Sequence, residues 1–497
     1  MYQLNKDAFM GVVWNGGSYV FSQIVSLVVK LFLVRLLLPE EFGVAGMAYI
    51  IISSLSMLNL PRTGSAFVRD KESEPVKAKN TLFYMSAASV LVVATISFFL
   101  APYGTLFFGN KITDPQSLNT LLWMFRFVAL IHLTSVIDCV SSKILAKELK
   151  FKQDVIASGA GTVAYGISAI TLAYIGFGAW SIILAQFSSA MVNRCLSFYF
   201  APFFPSLVFE WEIAKKYFNF AKNHFVNSIM SMIINNGDDT IVGRLLGTAA
   251  LGFYGLGQHF AGIVVSVVSG VIEGVAFPVL SKLQDDRIAY KRAFFKIFRL
   301  KNLLGIPSIA GAVVLAPEIT KLVLGEKWLP IVPVFYILSA ASFLNHLTAL
   351  AGPVFNSLNK SHIPRNNKII QFVFFIVLVY PFTKMWGLVG ICLVMAIFPL
   401  VSIFYLAPLL AKEIPEFYPT NLRILSKIIF STLVMMAVVY FAKKMVPVHL
   451  FWLFALVLLG VIVYFALMWV FDKDELRWDF QEGWGILKEK FSFLRRF

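Results

Sequence analysis

Charge is scarce in this chain: 14% of its 497 residues are Asp, Glu, Lys or Arg, against 58% apolar residues. A soluble surface carries roughly a quarter charged residues, so a sizeable water-facing domain is excluded. With a mean hydropathy of +0.76, lipid is the main solvent. Cysteine is scarcer still. Cys139, Cys195 and Cys392 each lie in an apolar stretch, too few and too deep for a disulfide framework or a metal site, and are read as packing residues. No His-Glu-x-x-His, Gly-x-Ser-x-Gly or Walker A pattern is present, so metalloprotease, nucleophile-elbow hydrolase and self-contained P-loop pump are unsupported. The glycine clusters Gly159–Gly166 and Gly255–Gly262 sit inside apolar spans with no strand before them, and close helix packing is their expected role. No catalytic residue, metal or cofactor is expected.

Acidic residues are the rarer sign, 27 against 43 basic, for a net charge of +16. A nucleic-acid partner would need those cations gathered on one soluble face. They are dispersed among short loops instead, as cytoplasmic loops of membrane proteins collect Lys and Arg whatever the protein does. Nucleic acid is therefore not an expected partner.

What the chain has in abundance is apolar runs of membrane-crossing length. A ~30 Å hydrocarbon core takes about 20 helical residues, and such runs recur from Phe9 to Val470. Segments such as Leu91–Leu100 and Leu453–Met468 are apolar on nearly every side. A membrane β-barrel would alternate apolar and polar residues in ~10-residue segments, so the spans are helices. The expected fold class is all-α integral membrane with fourteen spans, among them Leu118–Cys139, Phe218–Leu246, Ile370–Trp386 and Leu388–Leu410. The first, Phe9 to about Leu38, is too long for a signal-peptide core and is expected to be retained. An even count puts both termini on one side. Placing them in the cytoplasm gathers Arg69, Lys77, Lys143, Lys147, Lys216, Lys291, Arg299 and Lys360 there, which fits the positive-inside rule.

Two stretches match within the chain. Phe32–Met47 reads FLVRLLLPEEFGVAGM and Ile241–Leu256 reads IVGRLLGTAALGFYGL. Arg35 falls on Arg244, Gly43 on Gly252 and Gly46 on Gly255, and further on Gly64–Phe67 falls on Gly274–Phe277. The match predicts two parallel six-helix lobes: an N-lobe over 1–200, a cytoplasmic linker over 201–217, and a C-lobe over 218–412. Two extra helices over 413–472 and an amphipathic basic tail over 473–497 follow. The tail mixes Trp478, Phe480, Trp484, Phe491, Phe493 and Phe497 with Lys488, Lys490, Arg495 and Arg496, as in helices that lie on an anionic leaflet. Like-oriented lobes around a central cleft are the plan of an alternating-access carrier, an analogy from fold to function.

Ionisable groups inside apolar segments cost ~2.5–3.5 kcal/mol or more each unless they face a wet cavity or a partner. The expected substrate-binding cations are Lys30, Arg35, Arg126 and Arg194. Arg suits a phosphate because its planar fork donates two parallel hydrogen bonds. Arg35, Arg194 and Arg244 lie near span ends, where snorkelling to headgroups is an equal alternative. Asp238, Asp239 and Glu273 either couple Na⁺ or H⁺ or pair structurally with a neighbouring Arg. His132 and His346 are read as packing histidines, and Asn227, Asn235, Asn236 and Asn345 as interhelical hydrogen-bond glue.

The stretches VVWNGGSYVFSQIVSLVVKLFLVRLLLPEEFGVAGMA, DDTIVGRLLGTAALGFYGLGQHFAG, FPVLSKLQDD and LGEKWLPIVPVFYILS resemble the Wzx-type polysaccharide flippases of the MOP, MATE-like superfamily, in particular the branch handling exopolysaccharide and teichuronic acid-type repeat units. The resemblance runs over most of Gly11–Leu410. It covers Lys30 and Arg35 but not Arg126 or Arg194. At Leu58-Asn59-Leu60-Pro61-Arg62 the chain departs from the acidic-glycine pattern expected there. The resemblance implies a fourteen-helix MATE-like fold in the bacterial inner membrane that carries undecaprenyl-pyrophosphate-linked oligosaccharide between leaflets. Lipids and polysaccharide polymerase machinery would be its neighbours. Two alternatives stand beside this reading: a cation-coupled multidrug exporter of the same fold, which would favour an acidic, aromatic cavity, and a membrane glycan polymerase or ligase, which would favour a large outer loop bearing catalytic groups.

Overall fold

The computed structural model describes residues 2–56, 63–70, 73–109, 111–112 and 115–494, with the side chains of 2–13, 15, 223–231, 234, 264–275 and 474–494 set apart from that description. The departure at 58–62, the side chain of Glu273 and the aromatic and basic groups of the tail lie outside the described residues. Among the described residues the chain is helical, without strands. In order the helices are α1 (Tyr2–Leu36), α2 (Pro39–Ser56), α3 (Thr63–Arg69), α4 (Pro75–Gly109), α5 (Pro115–Leu133), α6 (Ser141–Lys147), α7 (Phe151–Ile175), α8 (Trp180–Phe200) and α9 (Trp211–Leu246). There follow α10 (Thr248–Lys282), α11 (Arg287–Val314), α12 (Ala316–Ile319), α13 (Ile331–Thr348), α14 (Ala351–Ser357), α15 (His362–Glu413), α16 (Phe417–Met445) and α17 (Leu450–Leu494). Nine helical runs among the described residues are long and apolar enough to cross a membrane, because uninterrupted apolar sequence leaves the backbone no partner but itself.

One of these runs is more than a single pass. The 52-residue α15 reverses at Gly387, whose φ of 57° and ψ of −133° only glycine adopts readily. The two arms pair side by side: Asn367 Nδ2 donates to Ser402 Oγ at 3.1 Å and Gln371 Nε2 to the same hydroxyl at 2.7 Å. A Cβ on Gly390 would sit 2.0 Å from Phe382 O, so the turn closes only with hydrogen at that position. The reversal falls where the expected spans Ile370–Trp386 and Leu388–Leu410 meet.

The chain divides into two compact units, residues 1–256 with 377–391, and residues 257–376 with 392–497. In the first, α7 packs between α1 and α8. Gly166 admits Val29, which would lie 2.8 Å from an added Cβ, and Gly161 admits the Ser189 carbonyl at 2.9 Å. Part of the Gly159–Gly166 cluster therefore acts as close-packing surface. Residues 201–210 carry no helix. Their backbone is held by α4, where Asn80 Oδ1 accepts from Ser206 N at 2.6 Å, Thr81 Oγ1 accepts from Glu210 N at 3.0 Å and the Tyr84 hydroxyl donates to Ser206 O at 3.1 Å. Helix α9 then begins at Trp211, seven residues before the expected span Phe218–Leu246. Its first turns are polar on one side and pack their apolar residues Ile213 and Tyr217 against α3. Buried Asp70, just beyond α3, accepts from Lys216 Nζ and the Tyr217 hydroxyl, both at 2.9 Å. Burial, and then the contact with Asp70, hold the Tyr217 phenol above its ordinary titration range.

In the second unit α11, α16 and α17 share one apolar core. A buried ionic knot ties them: Asp472 accepts from Arg299 at 3.0 Å and from Lys427 at 2.6 Å. Asp472 has non-helical backbone (φ −150°, ψ 36°) within α17, so the knot sits where that helix bends.

The matched stretches of the sequence meet in space. Arg35 and Arg244 stand in the last turns of α1 and α9, and Pro39 and Thr248 begin the helices that follow. A Cβ on Gly43 would lie 1.8 Å from Thr248 O, and one on Gly252 would lie 2.1 Å from Pro39 O. Each glycine thus turns a Cα hydrogen toward the first-turn carbonyl of the other helix, the close backbone approach that small residues permit.

A helix break in the first unit positions the site. The expected single span Leu118–Cys139 is not continuous: α5 ends at Leu133, Thr134–Val136 form a 3₁₀ turn, and α6 starts at Ser141. A break within apolar surroundings frees carbonyls that water does not reach. Here side chains take them. Arg194 Nη1, from α8, donates to Ile131 O at 2.9 Å and to the Thr134 hydroxyl. Thr134 Oγ1 donates to Ile131 O at 2.8 Å, and Ser135 Oγ to His132 O at 2.6 Å. Arg194 Nε faces Asp138 Oδ1 at 3.8 Å.

Two outcomes follow from these contacts. Gly43→Ala and Gly252→Ala each overpack the same contact, so each should cost about 1–3 kcal/mol. The double variant should cost clearly less than the sum, because the first methyl already parts the helices; thermal unfolding of the purified chain in detergent measures both. Arg194→Leu should cost about 3 kcal/mol by leaving Asp138 without its ion-pair partner, while Ile131 O keeps the Thr134 hydroxyl. Adding Asp138→Leu should restore part of that stability in the same assay, since the carboxylate that lost its arginine is then gone too.

Candidate functional site

Around the α5–α6 break lies a cavity of about 580 Å³ lined by α3, α4, α6, α8 and the break itself. Its walls are polar for a place inside apolar helices. Ser86 and Ser89 from α4 and Ser189 from α8 contribute hydroxyls, and Gln186 and Asn193 from α8 contribute amides. Asp138, Lys143 and Arg194 form an ionic corner. The aliphatic stem of Lys143 runs across Gly64, where an added Cβ would lie 2.6 Å from Lys143 Cε, so the bare glycine sets the path of that side chain. Lys147, one turn further along α6, donates to Phe67 O at 3.1 Å and Asp70 O at 2.8 Å. It thereby caps the carbonyl end of α3 and fixes the cavity wall.

The four cations singled out in the sequence occupy different surroundings. Arg194 lines the cavity, with one nitrogen committed to the helix break and its Nε turned to Asp138. Arg126 stacks its guanidinium over the rings of Phe98 and Trp123, at 5.3 and 5.1 Å from their centroids, a cation–π arrangement. Lys30 is half-buried on α1 and has no hydrogen-bond or ion-pair partner among the described residues. Arg35 is exposed at the end of the same helix, where a cation complements the helix dipole.

The acidic candidates lie on α9. Asp238 is buried, and its Oδ2 accepts from the Tyr254 hydroxyl at 2.8 Å. Asp239 is partly buried beside it, with Oδ1 free of hydrogen bonds among the described residues. Asn236 joins α9 to α2 through Ser53 and Ser54, at 3.2 and 3.4 Å, as expected of interhelical glue. Arg244 donates to Phe107 O at 2.9 Å with its guanidinium 4.1 Å from the Phe107 ring. His346 is buried against Gly305, whose added Cβ would lie 2.4 Å from its ring, a packing histidine as expected.

Sequence reading missed the cavity's neutral walls and Lys143, which it assigned to a loop. The available signal was serine at i and i+3, Ser86 and Ser89, within an otherwise apolar run. That spacing puts two hydroxyls on one helix face.

Several known proteins are similar to this chain. The succinoglycan biosynthesis transport protein ExoT of Rhizobium meliloti (strain 1021) is 25% identical over 308 residues, covering 62% of this chain and 60% of that protein, so the chain spans less than two thirds of that relative's length. The lipopolysaccharide biosynthesis protein WzxC of Escherichia coli (strain K12) is 22% identical over 78% of each chain. The teichuronic acid biosynthesis protein TuaB of Bacillus subtilis (strain 168) is 22% identical over 71% of this chain and 72% of its own. Among solved structures, the lipid II flippase MurJ in an inward closed conformation superposes with a TM-score of 0.76 at 16% identity, covering 94% of this chain and 100% of that one. An inward-facing multidrug resistance MATE family transporter of the MOP superfamily gives 0.59 at 15% identity, covering 79% and 95%. At such identities the structures establish the fold alone. The family described as polysaccharide biosynthesis protein matches residues 32–333, more than half of the chain, which is therefore a multi-pass helical membrane protein belonging to that family.

Proposed function

We propose that this protein is a flippase that carries undecaprenyl-pyrophosphate-linked oligosaccharide units across the bacterial inner membrane by alternating access, supplying surface polysaccharide synthesis. The observation that carries the reading is a cavity of about 580 Å³ bearing Arg194 and Lys143 among membrane-spanning helices, in a chain of a family whose similar members are named for polysaccharide transport and biosynthesis. A charged pair in that setting is costly unless a polar cargo or water meets it. In this reading the chain has fourteen spans in two six-helix lobes, 1–200 and 218–412, with 413–472 added, a tail over 473–497 and both termini cytoplasmic.

Lys30, Arg35, Arg126 and Arg194 are the proposed substrate contacts, and no covalent bond is made or broken. A pyrophosphate head leaving water needs its charge met by fixed cations, and charge-assisted hydrogen bonds do this best. Lys30, with its ammonium uncommitted among the described residues, is the first of these. The energy comes from a Na⁺ or H⁺ gradient, with Asp238, Asp239 and Glu273 as the acids for coupling or for structural pairing. Polysaccharide polymerase machinery would receive the product.

The test is leaflet-resolved transport of a pyrophosphate-linked polyprenyl oligosaccharide in liposomes containing the full chain. One lost charge-assisted hydrogen bond is worth about 1.5–3 kcal/mol, so Lys30→Ala and Arg126→Ala should each slow transport about 10- to 100-fold. Unchanged transport in both would remove these contacts from the site. Glycan chain growth by the purified protein would show an enzyme instead, and export of organic cations in place of the lipid would show a drug carrier.

A further inference from the structure

The cavity at the α5–α6 break is built for more than a phosphate. Arg194 and Lys143 bring two positive charges and Asp138 one negative, so the corner has a surplus of one, whereas a pyrophosphate diester carries one negative charge on the oxygens of each of its two phosphate groups. Phosphate oxygens only accept hydrogen bonds. A phosphate held here would leave the Asp138 carboxylate, itself only an acceptor, facing like charge. It would also leave the acceptor sides of the serines and amides without donors, and such unmade hydrogen bonds are what a polar site penalises most.

A sugar ring meets the same walls differently. Its hydroxyls donate and accept, so they can donate to Asp138 Oδ2 and accept from Lys143 and Arg194. Ser86, Ser189 and Gln186 have no side-chain hydrogen-bond partner among the described residues. They remain open to further hydroxyls. The volume of about 580 Å³ lies within the roughly 300–1,000 Å³ of small-molecule sites, room for a mono- or disaccharide unit. The surplus positive charge is matched by one acidic substituent.

We infer that this cavity is a subsite for a sugar residue of the transported glycan, preferring a sugar that carries a single carboxylate, and that the lipid pyrophosphate is held elsewhere. The inference rests on the flippase reading and deepens it. It separates the roles of the cations: Lys143 and Arg194 read the glycan, while Lys30, Arg35 and Arg126 remain for the phosphates.

Cys139 lines this cavity and reports its occupancy, while Cys195 is exposed outside it and serves as an internal control. The full wild-type chain in lipid nanodiscs is alkylated with N-ethylmaleimide, and both cysteine peptides are quantified by mass spectrometry. Glucuronate, glucose and inorganic pyrophosphate are compared as probes at matched ionic strength. Glucuronate is expected to slow alkylation of Cys139 several-fold and glucose to a lesser extent, with pyrophosphate without effect and Cys195 unchanged throughout. Lys143→Gln should abolish the advantage of glucuronate over glucose while leaving protection by glucose. Pyrophosphate protecting Cys139 as well as glucuronate does, or no probe protecting it, would overturn the inference. The liposome assay run in parallel separates the two readings: lipid transport with Cys139 unprotected refutes the sugar subsite alone, and protection without lipid transport refutes the flippase reading alone.

Discussion

Backbone that leaves the helix inside apolar surroundings must find new partners for its carbonyls, and at the α5–α6 break an arginine from a neighbouring helix joins two local hydroxyls in answering that demand. Arg194 reaches from α8 to Ile131 O and the Thr134 hydroxyl, and its charge is moderated by Asp138. Remove that arrangement and the α5–α6 break keeps only its local Thr134 and Ser135 hydrogen bonds. With it, the chain keeps residues 134–140 out of the α-helix, and the space so opened becomes the polar cavity. The cost of stopping a helix and the existence of the site are two sides of one interaction.

The arrangement also explains why the charged groups of the first unit are so unequal. Arg126 is met by two aromatic rings and Arg244 by a ring and a carbonyl. Lys147 caps α3 through two carbonyls. These are local solutions to burying a cation. Lys143 and Lys30 have no such local solution among the described residues, and they differ in setting: Lys143 opens on the cavity with Asp138 near it, whereas Lys30 stands on α1 beside the α7 packing surface. A single label of buried cation conceals three kinds of chemistry.

Much of the architecture was legible in the sequence because membrane helices announce themselves by unbroken apolar length, which strands cannot mimic. The reversal at Gly387 was legible too, since Trp386-Gly387 interrupts two apolar runs each long enough to cross. The break after Leu133 was not. Leu133-Thr134-Ser135-Val136-Ile137 holds no proline or glycine, and its apolar character continues through the break, so only the tertiary contact from Arg194 reveals it. The early start of α9 was hidden for the opposite reason. Its first turns carry Glu212, Lys215 and Lys216 and read as a loop, yet Tyr217 and Ile213 bury against α3. Of the site, Arg194 could be picked out as a costly charge, but the serines around it are individually unremarkable. They acquire meaning only once α4 and α8 set them opposite one another.

The paired glycines of α2 and α10 carry a consequence for how these helices can move. Gly43 faces Thr248 O while Gly252 faces Pro39 O, so the two contacts are images of each other across a local dyad. Sliding either helix along its own axis loses both at once, and only a hinge about that dyad could keep one geometry equivalent to the other. Parting of these first turns therefore breaks two equivalent contacts rather than one.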